Sequence, residues 1–301
     1  MEELRVLLVD SLDIEDLVLE PHLLGGWTNI NLGVVINSKL FTLKLPGITD
    51  FESSQNPFDY EFSIHQQLAN ARLCPRPFRL GTLGDDSHLP YALYEYVQGI
   101  VLYDLFALSE TQMHLLSKGL DDLRSQVVEN VATIDTASMY VNRVSLGISP
   151  LNSSVIDKLI ERFQKCRDSL LQDYSDEELW PKMLTHGDHQ PSNLVFTSER
   201  VIFLDLEACA YAHPSLDLSY LLVQSPVSRS VDSIRGLVKD VDSVTKYIPL
   251  ALLSVISWTL KRISLLHKGI IEENLLPLHN LPAMLEYVRT KLAELELVLK
   301  V

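Results

Sequence analysis

The sequence predicts an α+β protein in two lobes, strand-rich with one helix over 1–98 and mainly helical over 99–301. Three observations predict it. Short β-branched and aromatic runs dominate the first hundred residues. Beyond Gly99 the apolar spacing becomes helical. The helical part is then interrupted by a polar loop and a hairpin pattern at 185–207. A chain of 301 residues, 47% hydrophobic and 22% charged, has the length and balance for such a unit and argues against wholesale disorder.

Segments 34–36 and 40–45 are strand candidates joined through Asn37, Ser38 and Lys39 as a hairpin. In the second, Phe41, Leu43 and Leu45 share one face, and Leu40, Thr42 and Lys44 share the other. Asn56 and Pro57 offer an N-cap and a first-turn proline for a helix over 57–71 with a stripe of Phe58, Phe62, His65 and Ala69. The run 91–97 is aromatic and β-branched and stops at Gln98 and Gly99. Ser109 and Gln112 fit a capping box, followed by Met113, Leu116, Leu120, Leu123 and Val127 at helical spacing. A helix is expected over 153–172, with Val155, Leu159, Ile160, Phe163 and Leu170 inward. A second capping box at 175–178 opens a short helix broken near Pro181. Helices near 214–224, 231–244, 248–267 and 281–300 complete the chain.

Net charge is −15, and such a surface repels a nucleic-acid backbone, so nucleic acid is not expected as a partner. Cys74, Cys166 and Cys209 are too scattered for a disulfide framework or a cysteine zinc site, which points to a reducing cytoplasm. The N-terminal MEELR lacks the features of a secretory signal. The longest apolar run, 248–260, is broken by Ser254, Ser257 and Thr259 and is too short for a bilayer, so no membrane partner is expected.

The chemistry concentrates in THGDHQPSN at 185–193, followed by LVF, a polar turn, and VIFLDLE ending at Glu207. If the two strands pair, Phe196 lies opposite Val201, and the open end brings Asn193 beside Leu204 and Asp205. An amide oxygen and a carboxylate then converge, with Asp188 just upstream on the loop. Hard oxygen ligands of this kind suit magnesium, which keeps waters and substrate phosphates in its remaining positions. A carboxylate near such an ion can orient or deprotonate a hydroxyl nucleophile. That is phosphoryl-transfer chemistry.

Two further features fit a nucleotide. Gly25, Gly26, Trp27, Thr28 and Asn29 precede the first strand candidate, where glycines let backbone N–H groups approach phosphate oxygens. Lys44, on the inner face of a sheet, needs a counter-charge. Glu61 on the next helix is the candidate, with Asp59 and Glu52 close in sequence.

HGD-x4-N, an apolar strand ending in D-x-E, and then PSLDL at 214–218 make the chain similar to the aminoglycoside phosphotransferase and choline kinase superfamily, from about Gly25 to Leu222. The resemblance implies a two-lobed protein-kinase-like fold, with a nucleotide-binding sheet plus helix in 1–98 and a catalytic, acceptor-binding lobe in 99–301. It implies Asp188 as catalytic base, His186 as brace of the loop, Asn193 and Asp205 as magnesium ligands, and Asp217 as holder of the loop backbone. It further implies that Gly25, Gly26, Thr28 and Asn29 cover the phosphates, and that Lys44, paired with Glu61, contacts them. Main-chain groups of Glu95 and Val97 would bind adenine. The implied donor is ATP, or GTP, with magnesium, and the acceptor is a small-molecule hydroxyl. His189 and Gln190 depart from the family pattern of a hydrophobic residue and a histidine, and Ala212-His213 replace its Gly-Asp.

Two other classes stay open at this point. A metal-dependent phosphohydrolase could use His186, Asp188, His189, Asn193 and Asp205 as a mixed cluster, but would leave the glycine loop, Lys44 and the 95–97 segment without a task. A catalytically silent nucleotide-binding pseudokinase conflicts with the complete set of reactive residues. The acidic balance and Glu207 favour a cationic acceptor, such as an amino alcohol or amino sugar.

Overall fold

The computed structural model describes residues 2–14, 16–23, 29–47, 56–84, 89–102, 108–174, 179–224, 228–234, 236–237, 240–271 and 280–301. Gly25, Gly26, Thr28 and the capping box expected at 175–178 lie outside the described residues. The N-terminal part is an antiparallel sheet of β1 (Leu17–Leu23), β2 (Asn29–Ile36), β3 (Lys39–Pro46), β4 (Pro77–Leu83) and β5 (Leu89–Glu95), in the order β1-β2-β3-β5-β4. Its register starts from one tight turn. Asn37 and Ser38 both take left-handed backbone, φ 48° and 63°, which matches the twist of paired strands.

Side chains alternate along β3, so Phe41, Leu43 and Leu45 bury on one face, against Leu8 of α1 (Glu2–Leu12). The other face carries Lys44, paired in register with Ala92. Ala92 and Tyr94 there pack on Phe58 and on Phe62 of α2 (Asp59–Leu68). The Asn56 side chain accepts from Phe58 N at 3.0 Å, so Pro57 and Phe58 form the entry turn and the helix proper starts at Asp59. The sheet therefore has two flanking helices, α1 being an addition to the single one expected.

The remainder runs β6 (Ile100–Val101), α3 (Glu110–Arg124), α4 (Ala137–Ser145), α5 (Ser154–Asp173), β7 (Met183–Thr185), β8 (Leu194–Phe196), β9 (Val201–Phe203), β10 (Ala210–Ala212), α6 (Ser215–Val223), α7 (Val241–His267) and α8 (Leu281–Leu299). The hairpin forms as expected, with Phe196 opposite Val201. β6 adds to it as a third strand, and β7 pairs with β10. Ser109 and Gln112 form the capping box of α3, whose Leu116, Leu120 and Leu123 are buried. Val127 falls beyond the helix and is exposed, and Val128 is buried in its place. In α5 the inward residue is Ile156 rather than Val155.

The helices expected at 231–244 and 248–267 are instead a short 3-10 turn at Val231–Ile234 and one long α7 that holds Pro249 in its interior. A mid-helix proline costs about 3 kcal/mol. Here the helix continues because Leu250, Leu253, Ile256, Leu260 and Ile263 all bury in the core beyond it. α7 is apolar and long enough to cross a membrane by composition, but 67% of that window is buried inside the fold, among α4, α5, α6 and α8.

Gly99 lies where the chain passes from β5 to β6. A Cβ there would meet Val195 Cγ1 at 2.5 Å and the Phe196 carbonyl oxygen at 2.7 Å, so only glycine lets the connector lie this close to the hairpin. Gly99→Ala should destabilise the protein by about 1–3 kcal/mol, the usual cost of overpacking. An unchanged thermal midpoint would show that β6 can retreat from β8.

Candidate active site

Lys44 is buried on the cleft face of the sheet, with its Nζ 2.6 Å from Glu61 Oε2 and 2.7 Å from Asp205 Oδ1. Burial pulls the ammonium toward neutrality, but Asp205 and Glu61 outweigh it and hold the lysine charged, its pKa well above the ordinary value. For Glu61, burial acts upward, yet Lys44 and His65 hold its carboxyl below the usual range. His65 donates from Nδ1 to the Pro75 carbonyl at 2.9 Å and sets Nε2 3.5 Å from Glu61 Oε1. Glu61 is therefore the lysine's helix partner, and Asp59, by contrast, is exposed.

The 185–193 loop is fastened from three sides. Asp217, buried in the first turn of α6, accepts from the His186 and Gly187 N–H groups, both at 3.1 Å. His186, fully buried, donates from Nε2 to the Leu204 carbonyl at 2.8 Å and accepts from Asp188 N at Nδ1 at 3.2 Å. Gly187 has φ +81°, and a Cβ there would lie 2.2 Å from the Ala208 carbonyl oxygen. The loop and the segment after β9 are thus in backbone contact.

These fastenings aim Asp188, Asn193 and Asp205 at one place. Asn193 donates from Nδ2 to the Asp188 carbonyl at 3.0 Å and to Asp188 Oδ2 at 3.2 Å, and its main-chain carbonyl accepts from Leu204 N at 2.9 Å. With the amide nitrogen so engaged, the amide oxygen is the atom left for a cation. Asp205 is left-handed, φ 58° and ψ 62°, a conformation Asp tolerates better than most residues and one that clusters at functional sites. Carboxylate oxygens of Glu61, Asp205 and Glu207 lie within 4.8 Å of one another. This all-oxygen donor set fits magnesium. Burial and the nearby Asp205 charge raise the Asp188 pKa to about 6. The Asp205 charge also pushes Glu207 up.

Asn29 opens β2, buried and opposite Pro46. In the 95–97 segment, Glu95 N donates to the Arg76 carbonyl at 2.9 Å and Tyr96 N to Leu40 at 3.3 Å, and the Glu95 side chain pairs with Lys39. Among the described residues, the Val97 N–H donates to no backbone carbonyl. The mixed histidine–carboxylate cluster of a phosphohydrolase is not assembled. His186 uses both ring nitrogens inside the loop, and the candidate metal group among the described residues is carboxylate only.

One contact to Asp188 was not legible in the sequence. Gln190 donates from Nε2 to Asp188 Oδ2 at 3.1 Å. The i,i+2 spacing of Gln190 is a weak local signal. His189 is fully buried against His186 and Phe203, and neither ring nitrogen has a hydrogen-bond partner among the described residues. Burial, with His186 and Arg124 nearby, keeps it neutral. His189→Leu should therefore raise the thermal midpoint by the equivalent of about 1–3 kcal/mol, the penalty of a buried unpaired polar group. A fall would reveal a partner for the ring, such as a buried water.

The sequence profile of the phosphotransferase enzyme family (APH) matches residues 23–237. No curated protein sequence matches the chain significantly. Among solved structures, the chain is similar to a choline/ethanolamine kinase family protein from Mesorhizobium loti, at 16% identity and TM-score 0.64, covering 100% of this chain and 95% of that one. It is also similar to spectinomycin phosphotransferase APH(9)-Ia in complex with ADP and spectinomycin, at 13% identity, TM-score 0.63, and 99% and 98% coverage. A third is APH(2")-IIIa with GDP and kanamycin, at 16% identity, TM-score 0.63, and 98% and 99% coverage. These likenesses establish the kinase-like fold, and the profile match over most of the chain gives the conclusion that this protein belongs to the phosphotransferase enzyme family.

Proposed function

We propose that the chain transfers the γ-phosphoryl group of a magnesium-bound nucleoside triphosphate to the hydroxyl of a small molecule. The observation that carries this reading is the 2.7 Å bond between Lys44 and Asp205. It brings the buried Lys44 of β3, with its Glu61 partner on α2, into one cleft with the end of the 185–207 hairpin. In this reading residues 1–98 bind the nucleotide, and 99–301 carry the catalysis and the acceptor.

Asp188 takes the proton of the acceptor hydroxyl. A carboxyl pushed up to about 6 is a stronger base than an ordinary aspartate and is still ionised at neutral pH. Lys44 faces the phosphates as a permanent positive charge, and Glu61 fixes its direction. Asn193, through its amide oxygen, and Asp205 would hold magnesium, which neutralises phosphate charge when bound. His186 and Asp217 keep the loop rigid. Main-chain groups of Glu95 and Val97 receive the base, while Gly25, Gly26, Thr28 and Asn29 cover the phosphates. Catalysis is then mainly positioning and electrostatics.

Similar structures hold ADP or GDP, so ATP and GTP both belong in the donor test. The net charge of −15 supports a cationic amino alcohol or amino sugar as acceptor. A thermal-shift screen of amines, sugars and amino alcohols with a non-hydrolysable ATP analogue should give its largest rise with such a compound. A larger rise with neutral or anionic alcohols would contradict that choice. With the acceptor in hand, Asp188→Ala should lower kcat by about 10²–10⁴ with nucleotide KM little changed. Unaltered kcat in the folded variant removes Asp188 from the role of base. Asp205→Ala should abolish magnesium-dependent turnover, and retained turnover would place the ion elsewhere.

A further inference from the structure

Two neutral side-chain donors converge on the Asp188 carboxylate. Gln190 Nε2 and Asn193 Nδ2 both reach Oδ2, at 3.1 and 3.2 Å. An ionised carboxylate offers about four lone-pair sites, two on each oxygen, so these donors occupy Oδ2 and leave Oδ1 for a substrate proton. Asn193 is already accounted for by the metal, because its amide oxygen is the candidate ligand. Gln190 has no such second task.

Gln190 follows Asp188 by two residues, and its N–H donates to the Asp188 carbonyl at 2.9 Å. The glutamine thus grips Asp188 by main chain and side chain together, and its side chain has a short, constrained reach to Oδ2.

We propose that Gln190 is a positioning residue for phosphoryl transfer, orienting Asp188 so that its Oδ1 meets the acceptor hydroxyl. The inference rests on Asp188 acting as the base. In the step itself the acceptor O–H gives its proton to Asp188, and its oxygen bonds to the γ-phosphorus. The bond from that phosphorus to the β,γ-bridging oxygen breaks, and the nucleoside diphosphate leaves with that electron pair. Gln190 neither gains nor loses a proton. Removing its amide frees the carboxylate to rotate, so the loss falls on the transition state rather than on nucleotide binding.

The test uses Gln190→Leu, which removes the donor at similar size. A high-resolution crystal structure of the variant should show the Asp188 carboxylate rotated or in two orientations. Hydrolysis of Mg-ATP, with water as the acceptor, should show kcat lowered about tenfold or more, the worth of a hydrogen bond to a charged group. KM for ATP and the thermal midpoint should stay near those of the unmodified protein. A merely structural role would lower the midpoint or alter KM and leave the carboxylate in place. An unmoved Asp188 in this variant overturns the inference, whatever the rate. Asp188→Asn separates the readings. If it abolishes hydrolysis while Gln190→Leu matches the unmodified enzyme, the positioning role fails and the base stands. If Asp188→Asn hydrolyses Mg-ATP at the unmodified rate, the base itself is misassigned.

Discussion

A lysine ammonium that is 7% exposed at its side chain has to be answered by negative charge, and Lys44 is answered twice. Glu61 comes from α2, packed on the same sheet, and Asp205 from the segment after β9, far along the chain. Leaving one member of such a pair buried alone costs about 3–5 kcal/mol. The two contacts therefore couple the sheet, the helix and the loop–hairpin unit into one arrangement. Where α2 sits, and how far the helical part stands from the sheet, both follow from satisfying that charge. The carboxylates drawn to the lysine are also the oxygen donors of the candidate metal group.

Around this centre the backbone has little freedom. Asp217 takes two N–H groups of the loop, Gly187 admits a backbone approach that no side chain permits, and His186 links the loop to the carbonyl before Asp205. Asp205 itself is held left-handed. Such a conformation persists only where its surroundings over-determine it. The same fastenings that cost backbone freedom fix Asp188 against Asn193 and Gln190 within hydrogen-bond distance.

The site was largely legible in the sequence because its parts are local. Asp188 to Asn193 is a fixed-spacing loop, and a three-residue hairpin carries Asn193 to Leu204 with little ambiguity of register. Lys44 was legible because strand alternation put it opposite Phe41, Leu43 and Leu45. The misses share a physical cause, which is tertiary context. Pro249 reads as a helix stop until the core beyond it is seen to bury a continuous apolar face. Val155 and Ile156 are equally apolar, and packing alone decides that Ile156 turns inward. Helix α1 carries the run LRVLLV without a clear period, and becomes a helix against the sheet.

The central claim is that a charge-paired lysine and a loop-borne aspartate together move a phosphoryl group to an alcohol. Phosphorus NMR of the protein with Mg-ATP, in the presence and absence of an acceptor from the thermal-shift screen, tests it most directly. The account predicts a phosphate-ester signal that appears only with the acceptor, in step with ADP formation. Acceptor-independent release of inorganic phosphate, with no ester formed, would contradict it.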